Sequence, residues 1–160
     1  MSYRIGQGYD IHQLKSGLPL IIGGVNITHS KGILAHSDGD ILIHAIIDSL
    51  LGASNLGDLG THFPATDDWN DASGLYLLEC INKLILKKFP EFKIFNIDST
   101  IILETPRLSH YIHDMKLNIS NILNINIDTI SIKATTTDKL GPIGIEQGIA
   151  VQSICLIQLD

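Results

Sequence analysis

Cysteine, basic residues and long apolar runs are all scarce in this sequence, and each shortage excludes a class of protein. The two cysteines, Cys80 and Cys155, stand in apolar stretches without metal-ligand spacing, so we expect buried thiols rather than a disulfide framework. Lysine and arginine number 11 against 17 acidic residues, and the net charge of −6 argues against nucleic acid as a partner. No stretch approaches the ~20 apolar residues that span a bilayer, and no apolar signal region opens the chain. We therefore expect a soluble, cytoplasmic protein with no membrane partner.

The composition that remains is that of a globular protein. Hydrophobic residues make up 44% and charged residues 18% of the 160 residues, which is enough for one ordinary core. Repeats, low-complexity tracts and linkers are absent, so residues 1–160 are predicted to form a single domain. The negative charge is compatible with a small anionic substrate where bound cations offset it locally.

Hydrophobic periodicity predicts strands that alternate with helices. Because they interleave without strict βαβ repetition, we predict an α/β (α+β) sandwich in which a mixed β-sheet packs against helices. The polar connection at residues 54–72 is long, and long ordered loops are commonly functional. Strands are expected at 3–12, 18–28 (with a turn at Gly23-Gly24), 93–103, 129–136 and 148–159, and helices from Ser37 (capped by Ser37 or Asp38) to about Ala53, from a Ser73 cap to about Phe89, and from Ser109 to Leu123.

Asp10 and His12 are the first candidate metal ligands. In an extended strand, residues two apart face the same way, so the pair projects a carboxylate and an imidazole side by side. Such a pair suits a divalent metal. A surface hydrogen bond between the two side chains is the alternative.

The first predicted helix is apolar almost all round, yet Asp40, His44 and Asp48 recur along one face. Buried carboxylates need partners. One explanation is a satisfied network, in which Asp40 caps the helix and His44 bonds to Asp48. The other makes His44 a third ligand beside Asp10 and His12, which leaves a fourth tetrahedral position open as in catalytic zinc sites, or suits iron or manganese.

Three further segments could contact phosphate or sugar. His36 and Ser37 precede the first helix, whose free backbone N–H groups favour anions, although an ordinary capping turn explains them too. Asp58 could accept hydrogen bonds from a ribose diol or could cap a turn. The segment KATTTDKLG, residues 133–141, ends a predicted strand with hydroxyls, a carboxylate and an ammonium, a set that could bind a diphosphate and a second cation.

The motifs GYDIH, LAHSDGD followed by His44, GDLGTHFPATD and KATTTDKLG occur here in one order. In that order they closely resemble the 2-C-methyl-D-erythritol 2,4-cyclodiphosphate synthases of the non-mevalonate isoprenoid pathway, and the resemblance runs essentially end to end. It implies a homotrimer with active sites between subunits. It also implies a lyase that acts on a cytidine-diphosphate substrate, whose 2-phosphate attacks the β-phosphate and releases CMP. A metal-dependent phosphoesterase and a non-catalytic metal-binding trimer are the alternatives.

The resemblance also assigns roles to residues. Asp10, His12 and His44 match the ligands of a zinc-like first ion, and Asp138 matches, with one methylene fewer than the usual glutamate, a ligand of Mg²⁺ or Mn²⁺ bound with the substrate diphosphate. His36 and Thr136 match the groups that stabilise the transition state. The implied substrate-binding residues are Asp10, His12, His36, Ser37, Asp58, Leu59, Gly60, Phe63, Asp67, Pro106, Arg107, Leu108, Ser109 (the last four around cytosine), Thr135, Thr136, Thr137 and Asp138.

Three other positions depart from the family pattern. Ala65 stands where a carboxylate is common, and Pro142 and Ile145 replace an aromatic residue and an arginine. These changes put the contacts to the erythritol hydroxyls and the lining of the trimer's central cavity in doubt.

Overall fold

A five-stranded mixed sheet forms the centre of the computed structural model, which describes residues 2–66, 69 and 72–159. The strand order is β4-β1-β7-β5-β6, and every neighbouring pair is antiparallel except β5 and β6, which are parallel. The predicted mixed sheet is thereby confirmed. The strands are β1 (Ser2–Ser16), β4 (Lys31–Ile33), β5 (Lys93–Ile102), β6 (Ile130–Thr135) and β7 (Gly148–Leu159), and β2 (Leu20–Ile22) and β3 (Val25–Ile27) form a separate hairpin.

Helices cover one face of this sheet. They are α1 (Ile41–Ser54), α2 (Leu59–His62), α3 (Gly74–Lys88), α4 (Ile112–Leu123) and α5 (Gly141–Gly144), with a 3-10 turn at Ile127–Thr129. The helix α1 is buried almost all round, as its apolar sequence predicts, because it packs on β1 and β7 and also against α3. Among the described residues, none of the helices has both the length and the apolar character needed to cross a bilayer.

Two glycines let α1 approach β1 closely. A Cβ added at Gly6 would lie 1.8 Å from the carbonyl oxygen of Ser49, and one at Gly8 would lie 1.9 Å from that of Ala45. Only a residue without a side chain fits between the strand and the helix backbone at these positions. Since side chains alternate along a strand, Asp10 and His12 continue the face of β1 that Gly6 and Gly8 present to α1.

The opposite face of the sheet is open and apolar. Ile5 is 73% exposed, and Tyr9, Ile11 and Ile154 are each about half exposed on the same face. Tyr3 makes an edge-to-face contact with the Phe95 ring at a centroid distance of 5.4 Å. Contiguous exposed apolar surface of this kind marks an interaction face.

The structure corrects several predicted boundaries. The strand expected at 18–28 is the β2–β3 hairpin, which turns at Gly23-Gly24 as predicted, with φ of 60° and 71°. The first helix begins at Ile41 rather than at Ser37, because Asp40 supplies the side-chain cap and Gly39 has a φ of 72°. Ser73 occupies the cap position of α3 but makes no side-chain capping bond. The third long helix begins at Ile112 rather than at Ser109, since residues 109–111 form a turn.

Candidate functional site

Asp10, His12 and His44 converge at the point where α1 crosses β1. Their potential ligand atoms all lie within 4.8 Å of one another. Asp10 Oδ2 is 3.2 Å from His44 Nδ1, and Asp10 Oδ1 is 3.2 Å from His12 Nδ1. The strand alternation and the position of His44, one turn after the helix cap, bring together three residues that are 34 positions apart in sequence.

The donor set fits a divalent ion. His12 Nδ1 is buried but makes no hydrogen bond within the described residues, although it faces the Asp10 carboxylate. His44 is only 4% exposed, and its second ring nitrogen, Nε2, lies 3.3 Å from Ser37 Oγ. A ligating histidine usually donates its other N–H to an oxygen acceptor, which fixes the tautomer. Two imidazoles and one carboxylate with an open fourth position are typical of a catalytic zinc site.

The same contacts shift the protonation of the cluster. Burial alone would raise the pKa of Asp10, but hydrogen bonds and charge from His12 and His44 outweigh it and hold that pKa well below its usual range. Burial would lower the pKa of His44, but the hydrogen bond and charge of Asp10, with the charges of Asp40 and Asp38, raise it above 6.5. The cluster is therefore a site of negative potential that favours a cation.

The proposed network between His44 and Asp48 is wrong. His44 Nδ1 contacts Asp10, whereas Asp48 accepts a hydrogen bond from the Leu59 backbone N–H at 2.8 Å. Burial raises the pKa of Asp48, and the Leu59 N–H partly opposes that effect. Asp48 thus ties α1 to the segment that begins α2.

Two acidic residues of the LAHSDGD motif frame the metal helix. The fully buried Asp40 carboxylate accepts hydrogen bonds from Gly23 N at 2.8 Å, Gly24 N at 2.6 Å and Ile43 N at 3.2 Å. Asp38 accepts from Asp40 N at 3.0 Å and from Gly74 N at 2.7 Å. Burial raises the pKa of Asp40 to about 6, against the opposing effect of the two glycine N–H groups. The motif therefore fixes the hairpin and α3 relative to α1, a role that the sequence analysis missed for Asp38.

A cleft of about 180 Å³ opens beside the metal cluster. His36 lies in it with Nε2 2.8 Å from the Thr66 carbonyl oxygen, which accepts a hydrogen bond, so that nitrogen carries a proton. Phe63 stacks edge-on against Trp69 at a centroid distance of 4.7 Å. The lining residues are Asp10, His12, Ala35, His36, Ser37, His44, Leu59, Phe63, Ala65, Trp69 and Leu77.

Most of the residues predicted in this region come together here, but the ribose segment is only partly in place. Asp58 caps α2 and accepts hydrogen bonds from the Thr61 hydroxyl at 2.7 Å and the Thr61 backbone N–H at 2.8 Å, which lower its pKa. Neither Asp58 nor Gly60 lines the cleft. The predicted substrate residue Asp67 lies outside the described residues.

A second cavity of about 320 Å³ lies where β5 and β6 end side by side. Parallel pairing sets Ile102 opposite Thr135, so the loop after β5 and the threonines after β6 share one edge of the sheet. The predicted cytosine segment and the predicted phosphate contacts Thr135 and Thr136 therefore meet, whereas Thr137 and Asp138 follow just beyond. The lining residues are Leu103, Glu104, Pro106, Arg107, Leu108, Ser109, Ile112, Ala134, Thr135 and Thr136.

Sequence reasoning missed Glu104. Its Oε1 accepts hydrogen bonds from Thr137 N at 2.9 Å and from Lys139 N at 3.2 Å, and these bonds lower the pKa of the carboxyl. A carboxylate two residues beyond a strand gives no sequence signal of its own, because its partners belong to another strand's loop.

The two cavities are separate within one chain. The sheet register sets Ile11 opposite Ala150, Ala150 opposite Ile102, and Ile102 opposite Thr135. Three strand spacings of ~4.8 Å therefore separate the rows that carry the metal cluster and the threonines by roughly 14 Å.

Comparisons with known proteins agree on one family. The YgbB family model matches residues 3–158. The 2-C-methyl-D-erythritol 2,4-cyclodiphosphate synthase of Clostridioides difficile (strain 630) is 56% identical over 157 residues, which cover 98% of this chain and 96% of that protein. The corresponding synthase of Acaryochloris marina is 52% identical over 160 residues, with 99% and 98% covered.

Solved structures share the fold. The IspF–CDP complex of Plasmodium falciparum superimposes with a TM-score of 0.87 at 38% identity and covers 99% of this chain and 97% of that one. The bifunctional IspDF of Campylobacter jejuni gives a TM-score of 0.93 at 36% identity, and this chain spans 43% of its length. With a match over almost every residue and a metal-ligand cluster in place, this chain is an enzyme of the YgbB family, the 2-C-methyl-D-erythritol 2,4-cyclodiphosphate synthases.

Proposed function

We propose that this chain converts 4-diphosphocytidyl-2-C-methyl-D-erythritol 2-phosphate into 2-C-methyl-D-erythritol 2,4-cyclodiphosphate and CMP. The observation that carries the proposal is the Asp10–His12–His44 cluster, which opens directly into a cleft lined by His36 and Phe63. An oxygen of the substrate's 2-phosphate forms a bond to the β-phosphorus, and the bond from that phosphorus to the bridging oxygen breaks. The bridging oxygen and its electron pair leave with CMP. The substrate brings its own nucleophile, so the protein contributes positioning and charge stabilisation.

Asp10, His12 and His44 would hold Zn²⁺ or another divalent ion, and Asp138 a second ion, Mg²⁺ or Mn²⁺, together with the substrate diphosphate. Such ions neutralise developing phosphate charge. The exposed Asp138 follows the threonines at the edge of the second cavity, which suits a ligand shared with the diphosphate. Ser37 would orient His44 through its contact with Nε2.

His36 and Thr136 are proposed to stabilise the transition state. The Thr136 hydroxyl oxygen accepts a hydrogen bond from the Asp138 backbone N–H at 3.3 Å, which leaves its proton available for a phosphate oxygen. His36 holds a proton on Nε2 at the rim of the metal cleft. Both groups donate where negative charge would develop.

The sugar and the base would be held by two loops. Asp58, Leu59 and Gly60 would contact the ribose and erythritol portions, together with Phe63 and Asp67 of the adjoining loop. The segment from Pro106 to Ser109 borders the second cavity, whose size suits a base.

We propose that the chain, as a single domain over residues 1–160, assembles as a homotrimer in which the metal cleft of one subunit meets the second cavity of the next. The open apolar face of Ile5, Tyr9, Ile11 and Ile154 supports burial against other copies. The roughly 14 Å between the two cavities supports a site shared between subunits. Sedimentation measures the subunit number.

Subunit complementation tests the shared site. When His44→Ala and Thr136→Val subunits are mixed 1:1, random assembly pairs an intact metal cleft with an intact second cavity in about a quarter of sites. The mixture should therefore reach up to that fraction of wild-type turnover, well above either variant alone. If both halves came from one chain, mixing would restore nothing.

Phosphorus NMR of the products tests the reaction itself. Purified protein with the substrate, zinc and Mg²⁺ should give equal amounts of CMP and a cyclic diphosphate, and His44→Ala should abolish both. The matched control His113→Ala alters an exposed histidine on α4 and should leave turnover unchanged. A linear phosphate beside CMP would mean hydrolysis, and bound zinc without turnover would mean a non-catalytic metal-binding protein.

A further inference from the structure

The loop that follows β6 has a demanding backbone. Asp138 and Lys139 have φ angles of 52° and 65°, in the left-handed region that side chains other than glycine seldom adopt. Two such residues in succession persist only where their surroundings hold them. This loop carries Thr136, so whatever fixes the loop also fixes the direction of that hydroxyl.

A single carboxylate oxygen from the neighbouring strand's loop supplies much of that hold. Glu104 Oε1 accepts hydrogen bonds from Thr137 N at 2.9 Å and Lys139 N at 3.2 Å. The Thr137 hydroxyl lies 3.1 Å from the same oxygen, and shares its one proton between Glu104 and the Leu140 carbonyl at 2.8 Å. Hydrogen bonds to a charged acceptor are the stronger kind, and here they converge on one atom.

The contact is built into the sheet. Leu103 N donates to the Thr135 carbonyl at 2.9 Å, which extends the parallel pairing of β5 and β6 one step beyond the strands. Glu104 therefore stands directly beside the start of the loop. Its position follows from the strand register and does not depend on a bound ligand.

The connection to Thr136 runs through Asp138. Glu104 holds the N–H groups of the residues on either side of Asp138, and the Asp138 N–H in turn points at Thr136 Oγ1 at 3.3 Å. With that bond accepted, the hydroxyl proton is directed away from the loop, toward the cavity that Thr136 lines.

We propose that Glu104 is a positioning residue that aims the Thr136 hydroxyl at the substrate diphosphate. The inference rests on the proposed function of Thr136 and adds a residue that acts only through it. A misplaced donor costs less than an absent one, so removal of Glu104 should slow turnover less than removal of the Thr136 hydroxyl.

A double-mutant cycle tests this dependence. Glu104→Ala should lower kcat about 10- to 100-fold, the scale of a displaced transition-state donor, and change KM by less than about threefold. Glu104→Gln should recover most of kcat, because its amide oxygen can accept the same bonds. In the Thr136→Val background, Glu104→Ala should cause no further loss. The control Glu79→Ala removes a glutamate paired with Lys83 on α3 and should leave kcat unchanged.

Additive losses in the cycle would overturn the proposal, as would Glu104→Gln behaving like Glu104→Ala with a raised KM, which would indicate direct substrate contact. A wild-type kcat in Glu104→Ala would overturn it as well. Amide hydrogen exchange provides a readout without turnover. Exchange at Thr137 and Lys139 should accelerate in Glu104→Ala and remain slow in Glu104→Gln. If the wild type formed no cyclic product, the proposed function would fail, and the same cycle measured on CDP affinity by calorimetry would still decide the role of Glu104.

Discussion

Asp40 offers the sharpest test of how the metal helix is held. It is fully buried, and its carboxylate joins three backbone donors from two different elements. Oδ1 accepts from Gly23 N and Ile43 N, whereas Oδ2 accepts from Gly24 N. Asp40→Ala removes all three bonds, and Asp40→Asn replaces one oxygen by an N–H₂ group. The two variants therefore remove different numbers of bonds at nearly constant backbone structure.

The expected losses follow from those counts. Loss of a helix cap costs about 1 kcal/mol, and each buried N–H left without an acceptor costs about 1–3 kcal/mol. Removing a buried charge relieves part of this, so we expect the free energy of unfolding to fall by about 3–5 kcal/mol in Asp40→Ala. In Asp40→Asn the retained oxygen can keep Gly23 and Ile43, and only Gly24 faces a second donor, which predicts a loss of about 1–3 kcal/mol.

Urea and thermal unfolding, followed by circular dichroism at one fixed protein concentration, measure these differences. For a chain of this size, each kcal/mol lowers Tm by about 2–4 °C, so the alanine variant should melt roughly 6–20 °C lower. The matched control Asp114→Ala removes an exposed acidic residue from the first turn of α4 and should cost less than about 1 kcal/mol. An Asp40→Ala protein within about 1 kcal/mol of wild type would refute the reasoning.

Three further predictions concern the metal cluster and the close helix–strand contact. Because Asp10 raises the pKa of His44, zinc must displace a proton there, so zinc affinity should rise as pH increases above 6.5, with proton release seen by calorimetry in buffers of different ionisation enthalpy; an affinity independent of pH between 6 and 8 would contradict this. Asp10→Asn should reduce zinc affinity by more than the roughly 10–100-fold that loss of an outer-shell partner costs, which metal analysis after dialysis measures, with Asp114→Asn as control. Gly8→Ala would place a Cβ 1.9 Å from the Ala45 carbonyl oxygen and should destabilise the fold by at least about 1–3 kcal/mol, whereas Gly52→Ala, whose Cβ would meet nothing closer than 4.0 Å, should be stabilising by about 0.5–1 kcal/mol; equal melting temperatures for the pair would contradict it.

The sequence predicted those parts of the fold that depend on local periodicity. The apolar run of α1 and the long strand Gly148–Leu159 were predicted within a few residues, and the Gly23-Gly24 turn has the positive φ values that its glycines suggested. The short strand Lys31–Ile33 was missed because three residues carry no detectable period. Its place in the sheet comes from pairing with Leu14 and its neighbours, a contact that no local pattern encodes.

The candidate site divides in the same way. Asp10 and His12 were predicted to share a face because strand alternation alone decides it, and the resemblance to the synthases assigned His44 to the same cluster. The choice between a metal ligand and an Asp48 network depended on where α1 crosses β1, which glycine spacing at Gly6 and Gly8 determines only once the helix is in place. Glu104 could not be found at all, because its hydrogen bonds join two loops that parallel pairing brings together.

The acidic residues around the first cleft have different tasks, and their burial separates them. Asp40 is fully buried and saturated with backbone donors, so its charge holds the hairpin against α1 and is spent before any ligand arrives. Asp10 is partly exposed and faces two imidazoles, so both of its oxygens remain directed at the place where a cation would lie. A cation bound there meets one carboxylate in direct reach and a second behind His44, which raises the basicity of that ligand. The motif LAHSDGD therefore signals the site chiefly because it builds the frame that aims His44, and its acidic residues lie behind the ligand that faces the substrate.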